Sequence, residues 1–246
     1  MSLNHDTNTN QSYAQWGEDR LVWDFFGHQA KGVFLEIGAN HPTLLSQTYL
    51  LEQQGWTGVL IEPQRECYEL LVAQRPGSQA FRCAVTSPEG VGQAYMKIPP
   101  RELGGHVMAE VVTERVENDN HCYEEIALRT INDVLAEAKV GAIDFMSIDI
   151  EGLEVPAMQG FDFAKYRPKL ILIEDHLEDL GRHRFLVGKG YRFVHRLGSN
   201  NWYVPADFSD FTLENPISRF EYIRKFHLSM PFRKLRIGLK RLRGKA

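Results

Sequence analysis

Short apolar runs that stop at an acid or a turn recur along the chain. Gly32-Val33-Phe34-Leu35-Glu36-Ile37-Gly38-Ala39-Asn40 reads as a buried parallel strand and its turn. Leu44 to Gln54 then predicts a helix, with Leu45 and Tyr49 at helical spacing and Gly55 in the position a C-terminal cap prefers. Gly58-Val59-Leu60-Ile61-Glu62-Pro63 is a second strand, ended by a proline that cannot continue a central strand. Tyr68 to Arg75 predicts a helix and Gln79 to Val85 a third strand, while a first helix is expected over Leu21 to Phe26. From Thr86 to Glu125 the alternation breaks at Pro99-Pro100, Gly104-Gly105 and the charged run Glu114 to Asn120, which suits an insertion or a substrate lid. Order resumes at Ile126 to Leu128 and a helix starting at Asn132, with Val134, Leu135 and Ala138 on one face.

Ile143-Asp144-Phe145-Met146-Ser147-Ile148-Asp149 is the fourth strand, followed by a helix through Val155 and Met158. Lys169-Leu170-Ile171-Leu172-Ile173-Glu174 is the fifth. Tyr191 to His195 and Asn201 to Val204, separated by a short turn, predict an antiparallel hairpin at the sheet edge. Strands alternating with helices over short connections argue for a mostly parallel sheet covered on both faces. The expected class is α/β: a Rossmann-like, seven-stranded, mostly parallel sheet closed by a C-terminal antiparallel hairpin. One domain is expected over residues 1–223, with 86–125 inserted in it and 224–246 as a separate tail.

Composition changes this picture in three places. With 43% apolar and 24% charged residues the chain is an ordinary globular protein. The polar start, Met1 to Gln11, lacks the apolar run of a secretory signal, and the longest apolar runs fall well short of the roughly 20 residues that span a bilayer. A cytoplasmic location is therefore expected. Cys67, Cys83 and Cys122 match neither a zinc ribbon nor a redox pair and are expected to be reduced thiols, Cys83 in the core.

The net charge of −4 hides an asymmetry, since nine of the 28 basic residues follow Glu221 and no acid does; the first 223 residues carry 19 bases against 32 acids. In the tail Phe232, Leu235, Leu239 and Leu242 recur at helical spacing among Arg233, Lys234, Arg236, Lys240, Arg241 and Arg243. This pattern suits a helix lying on anionic lipid at the inner face of the membrane, with a solvated end as the alternative. An acidic body opposes nucleic-acid binding.

Ligands of open α/β sheets bind at the carboxyl ends of the strands, and four of these strands end in acids: Glu36, Glu62, Asp149, and Glu174 with Asp175. A nicotinamide enzyme would need a Gly-x-Gly-x-x-Gly loop for the pyrophosphate, yet the chain offers Gly38-Ala39-Asn40-His41-Pro42 with Glu36 before the turn. A carboxylate there repels a pyrophosphate and attracts the ammonium and sulfonium of S-adenosylmethionine. Glu62 is placed to accept ribose hydroxyls from either cofactor.

The chain also resembles the FkbM-type methyltransferases, S-adenosylmethionine-dependent O-methyltransferases. The likeness is carried in order by Ser12-Tyr13-Ala14-Gln15-Trp16-Gly17-Glu18-Asp19, by Phe34 to Asn40, by Gly55 to Pro63, by Asp144 to Glu154 and by Pro168 to Glu174. It implies cofactor roles for Glu36, Gly38, Asn40, Ser46 and Glu62, and a sugar hydroxyl of a glycan, glycolipid or secondary metabolite as acceptor. His41-Pro42 departs from the family pattern. Asp149 and His176, at strand ends, are the expected catalytic bases for removing the hydroxyl proton. Asp149, Glu174 and Asp175 are a candidate site for a divalent cation such as magnesium. Gln15, Glu18 and Asp19 are expected only to cap the first helix, and Phe34 and Trp56 to be core. A cofactor-binding scaffold without turnover is the alternative from a different class, and a dehydrogenase a weaker one.

Overall fold

The computed structural model describes residues 11–100, 109–117, 119–150, 152–176 and 180–209. The basic tail, His106, and the linkers 101–108 and 177–179 lie outside the described residues. The chain runs α1 (Glu18–Phe25), β1 (Val33–Ile37), α2 (Tyr49–Gln53), β2 (Thr57–Ile61), α3 (Arg65–Gln74), β3 (Ser78–Phe81) and β4 (Ala84–Val85). It continues with β5 (Gly92–Ile98), β6 (Glu110–Val112), β7 (Cys122–Arg129), α4 (Ile131–Glu137), β8 (Phe145–Ile148) and α5 (Glu154–Gln159). α6 (Phe163–Tyr166), β9 (Leu170–Glu174), α7 (Gly181–Gly188), β10 (Tyr191–Leu197) and β11 (Asn200–Pro205) complete it.

Seven strands form one sheet in the order β10-β11-β9-β8-β1-β2-β3. β3, β2, β1, β8 and β9 are parallel, and β11 runs antiparallel to both β9 and β10. This is the Rossmann-like class I methyltransferase architecture expected from the sequence. Alternate strand residues feed two apolar layers: Leu35, Ile37, Val59, Ile61, Met146 and Ile148 pack on one side, Phe34, Leu60, Phe145 and Leu172 with Trp56 on the other. Both layers are buried, which is why these strands read as continuous apolar runs. The strand order reverses between β1 and β8, and that switch point sets where a ligand can enter.

The structure departs from the sequence reading in four local features. The third strand is two strands in two sheets: Cys83 N–H folds back onto the Phe81 carbonyl (3.2 Å), so β3 pairs with β2 while β4 pairs with β7. The segment after Thr86 builds a second sheet, order β4-β7-β5-β6, around Ala94, Met96, Ile98 and Ile126. The helix expected from Leu44 starts only at Tyr49, because Leu45 holds a positive φ of 62° that no helix accommodates. Thr130, not Asn132, caps α4, accepting from Asp133 N–H (3.0 Å) in a capping box. All three cysteines are free, with Cys83 buried. No helix among the described residues is long and apolar enough to cross a membrane.

Candidate functional site

The carboxyl ends of β1, β2, β8 and β9 open onto a cavity of about 440 Å³, within the range of small-molecule sites. At its floor the first turn is made tight by Gly38, whose φ is 82° and whose N–H donates to the Ile61 carbonyl (2.9 Å). A Cβ on Gly38 would stand 1.9 Å from the Asp149 carbonyl oxygen, so no other residue fits between β1 and β8.

Glu36 lines the cavity and is buried. Its Oε1 accepts from Gln47 N–H (3.1 Å) and its Oε2 from the Thr48 hydroxyl (2.5 Å). Behind it lies Arg75, with no side-chain exposure, 3.9 Å from Glu36 and 2.8 Å from Glu52. Burial pushes the Glu36 carboxyl up, against the opposing pull of the Arg75 guanidinium and the Thr48 hydrogen bond. Two carboxylates, Glu36 and Glu52, share this one guanidinium.

Glu62 also lines the cavity, but its surroundings differ. One oxygen accepts from Asn40 N–H and the other from Gln64 N–H, both at 2.8 Å, and no ion pair reaches it among the described residues. Burial raises its carboxyl to about 7, against the two backbone hydrogen bonds. Each oxygen keeps a lone pair for a further donor. Cys67, 3.4 Å from the Asn40 side-chain oxygen, is pushed by burial to about 12 and is no thiolate nucleophile at neutral pH.

The other residues singled out in the sequence separate into two groups. Asn40 and Asp149 line the cavity, Asp149 exposed at the end of β8 with its N–H on the Ile37 carbonyl (3.0 Å); Glu174 lines it from β9. Ser46 does not line it. Its hydroxyl oxygen instead accepts from Tyr49 N–H (3.1 Å), Thr48 N–H (3.3 Å) and Arg75 (3.3 Å), fixing the start of α2. His176 stands outside the lining, its ring 58% exposed and 3.6 Å from Glu174.

The three acids expected to hold a divalent cation are placed differently from one another. Among the described residues no group of three His, Cys, Asp or Glu side chains could hold a metal ion. Asp175 is turned into the protein, where it accepts from Asn201 Nδ2 (2.9 Å) and lies 3.8 Å from Arg182, so it does not join Asp149 and Glu174. A strand-end acid can serve either side of the backbone, and Asp175 meets Asn201 and Arg182 on the inner one.

Several lining residues escaped the sequence reading. Gln47, in the loop between β1 and α2, accepts from the Ser147 hydroxyl on β8 through its side-chain oxygen. Met96 and Val111 close one wall from the second sheet. Gln15 and Asn200 also line it. Glu18 and Asp19 do more than sit in the first turn of α1. Glu18 is fully buried and joins Trp16 N–H (2.8 Å) to Asn200 Nδ2 (2.7 Å), while Asp19 binds the Ser12 hydroxyl (2.6 Å) and Tyr13 N–H (2.7 Å). They lash the N-terminal segment beside the cavity. Their signal in the sequence was their place in the Ser12 to Asp19 run that carries part of the family resemblance.

Comparison with known proteins bears on this site. No curated protein matches the chain. Among solved structures, the chain is similar to the METTL16 MTase domain (crystal form 2), with 10% identity, a TM-score of 0.43, and 76% of this chain and 65% of that chain covered. It is also similar to the delta-N METTL16 MTase domain, with 11% identity, a TM-score of 0.39, and 76% and 78% covered. The chain thus spans just under two thirds of the first of these. Residues 36–197 match the family described as Methyltransferase FkbM domain, a span that starts at the buried Glu36 and closes with β10. The chain therefore belongs to the FkbM methyltransferase family.

Proposed function

We propose that the protein methylates a hydroxyl oxygen, that of a sugar in a glycan, glycolipid or secondary metabolite. The observation that carries the reading is Glu62: a buried carboxylate at the switch-point cavity, each oxygen held by one backbone N–H and open to one more donor. Such a group suits the two ribose hydroxyls of the cofactor. Glu36, lining the cavity beside Gly38, suits the cofactor's cationic amino-acid end, and Gly38 lets the backbone come close. S-adenosylmethionine supplies a methyl group on a positively charged sulfur, a leaving group already activated.

The chain's own task is then to align the acceptor and take its proton. Asp149, exposed at the end of β8 and lining the cavity, is the base that fits this task. The acceptor oxygen forms the new O–CH3 bond as the S–CH3 bond breaks, and the hydroxyl proton passes to the Asp149 carboxylate. His176, outside the lining, is the less suited of the two bases.

Calorimetric titration with S-adenosylhomocysteine, with and without magnesium, tests the reading. Micromolar binding by the wild type and a loss of about tenfold or more in Glu62→Ala are expected, the latter worth at least about 1.4 kcal/mol. Absence of binding by the wild type in either buffer would sink the proposal.

A further inference from the structure

The lip of the cavity carries two adjacent leucines turned toward solvent. Leu44 is 64% and Leu45 56% exposed, and both line the cavity. Single exposed leucines are ordinary on a protein surface. These two differ in being neighbours, in bordering a ligand-sized cavity, and in resting on unusual backbone. Leu45 sits at φ 62°, the left-handed region that a branched side chain seldom occupies and that persists only where the surroundings enforce it.

The enforcement is visible on both sides of the pair. His41 Nδ1 accepts from Leu44 N–H (2.9 Å) and Thr43 N–H (3.2 Å), closing the first half of the turn. Buried Arg75 donates to the Pro42 carbonyl (3.0 Å) and to the Ser46 hydroxyl oxygen (3.3 Å), tying down both flanks. A strained turn held this firmly, with its leucines left more than half exposed, is explained by a ligand that covers them.

The rest of the lining narrows that ligand's chemistry. Met96 and Val111 add apolar wall, while Glu36, Glu62, Glu110, Asp149 and Glu174 supply carboxylates; among the described residues no Lys, Arg or His lines the cavity. An anionic acceptor would meet these carboxylates with no counter-charge from the described lining residues.

We propose that Leu44 and Leu45 form an apolar subsite for the acceptor, which is a neutral hydroxylated molecule bearing an alkyl or acyl group beside the hydroxyl that is methylated. The inference rests on the methyltransferase reading of the cavity. An alkyl glycoside is the simplest molecule of this kind.

The full chain, saturated with S-adenosylhomocysteine, is titrated with methyl β-glucoside, with octyl β-glucoside below its micellar concentration, and with glucose 6-phosphate. Burying about two methylenes against the leucines makes the octyl glycoside bind about tenfold more tightly than the methyl one, with no binding of the phosphate. Leu44→Ser and Leu45→Gly each shrink that preference to about threefold or less and leave S-adenosylhomocysteine affinity within about twofold of wild type. Leu45→Gly also keeps or raises the melting temperature, because glycine takes a positive φ without strain. Equal binding of the two glycosides, binding of neither, strongest binding of the phosphate, or a preference that survives both substitutions would each overturn the proposal. A parallel loss of cofactor affinity would also overturn it, by assigning the leucines to the cofactor. Failure of the wild type to bind S-adenosylhomocysteine at all would instead refute the methyltransferase reading beneath it.

Discussion

Glu36 and Glu62 sit at the ends of neighbouring strands, both almost fully buried, and their environments are opposite. Glu36 has a resident counter-ion in Arg75 and a hydroxyl on one oxygen; Glu62 has only backbone N–H groups. Burial raises both carboxyls, and only at Glu36 does a cation oppose it. A buried carboxylate with its own counter-ion serves the fold first, through the loop and helix that the pair holds in place. One without a counter-ion is left for what enters the cavity. The comparison therefore gives the Glu36 side an architectural duty beneath its cofactor role and leaves ligand-dependent chemistry to the Glu62 side.

The sharpest way to break this contrast is Arg75→Met. Removing the guanidinium leaves Glu36 and Glu52 buried without compensation and strips the loop carbonyl of Pro42, the Ser46 hydroxyl and the Thr48 hydroxyl of a donor. Breaking a buried ion pair by deleting one partner costs about 3–5 kcal/mol. For a domain of this size that lowers the melting temperature by roughly 10 °C, read by calorimetry. A loss below about 1 kcal/mol would show that the triad is not the keystone of this side.

Legibility in the sequence follows the same division. The strand ends were legible because a central parallel strand must be apolar on both faces, so Glu36, Glu62 and Asp149 stood out against Val33–Ile37, Val59–Ile61 and Phe145–Ile148. Gly38 and Glu62 could be placed from that pattern alone. The Leu44–Ser46 turn could not, since adjacent leucines before Tyr49 look helical; what keeps the turn open is Arg75, about thirty residues further on. The second sheet was hidden for a related reason. β5 pairs antiparallel with β7 across a long, polar, proline-containing connection, and its alternation of half-buried positions is weak in any short window. Glu18 and Asp19 were misjudged because their partners, Asn200 and the N-terminal segment, are set by tertiary contact and not by helix position.

On the Glu62 side the effect is one of pH. In the folded protein its carboxyl lies at about 7, above the ordinary 4.5, so the native state holds this proton more tightly than the unfolded chain. Its contribution to stability is therefore complete below pH 4.5 and declines as pH rises toward 7. Ribose hydroxyls donate to the ionised form, so cofactor binding must first remove the proton when pH is below 7. Wild-type affinity for S-adenosylhomocysteine should fall about tenfold per pH unit below that point, or about 1.4 kcal/mol. In Glu62→Gln the affinity is weaker and its pH profile flat. A wild-type profile unchanged between pH 5.5 and 8 (roughly the span a carboxyl at about 7 must dominate) would detach Glu62 from the cofactor.

The smallest effect sharpens the comparison most finely. The family resemblance gives Ser46 a cofactor role, yet its hydroxyl oxygen is engaged by Thr48 N–H, Tyr49 N–H and Arg75, and it does not line the cavity. A hydroxyl that satisfies the first backbone donors of a helix contributes about 1 kcal/mol as a cap. Ser46→Ala should therefore lower the melting temperature by a few degrees, roughly 2–4 °C for a domain of this length, while S-adenosylhomocysteine affinity stays within about twofold. Because Ser46 shares Arg75 with Glu36, a small secondary loss of affinity at low pH is the most that the architectural role allows. A tenfold loss at neutral pH, with stability unchanged, would invert the assignment: Ser46 would touch the cofactor directly, and the division between a supporting Glu36 side and a ligand-binding Glu62 side would have to be redrawn through the turn itself.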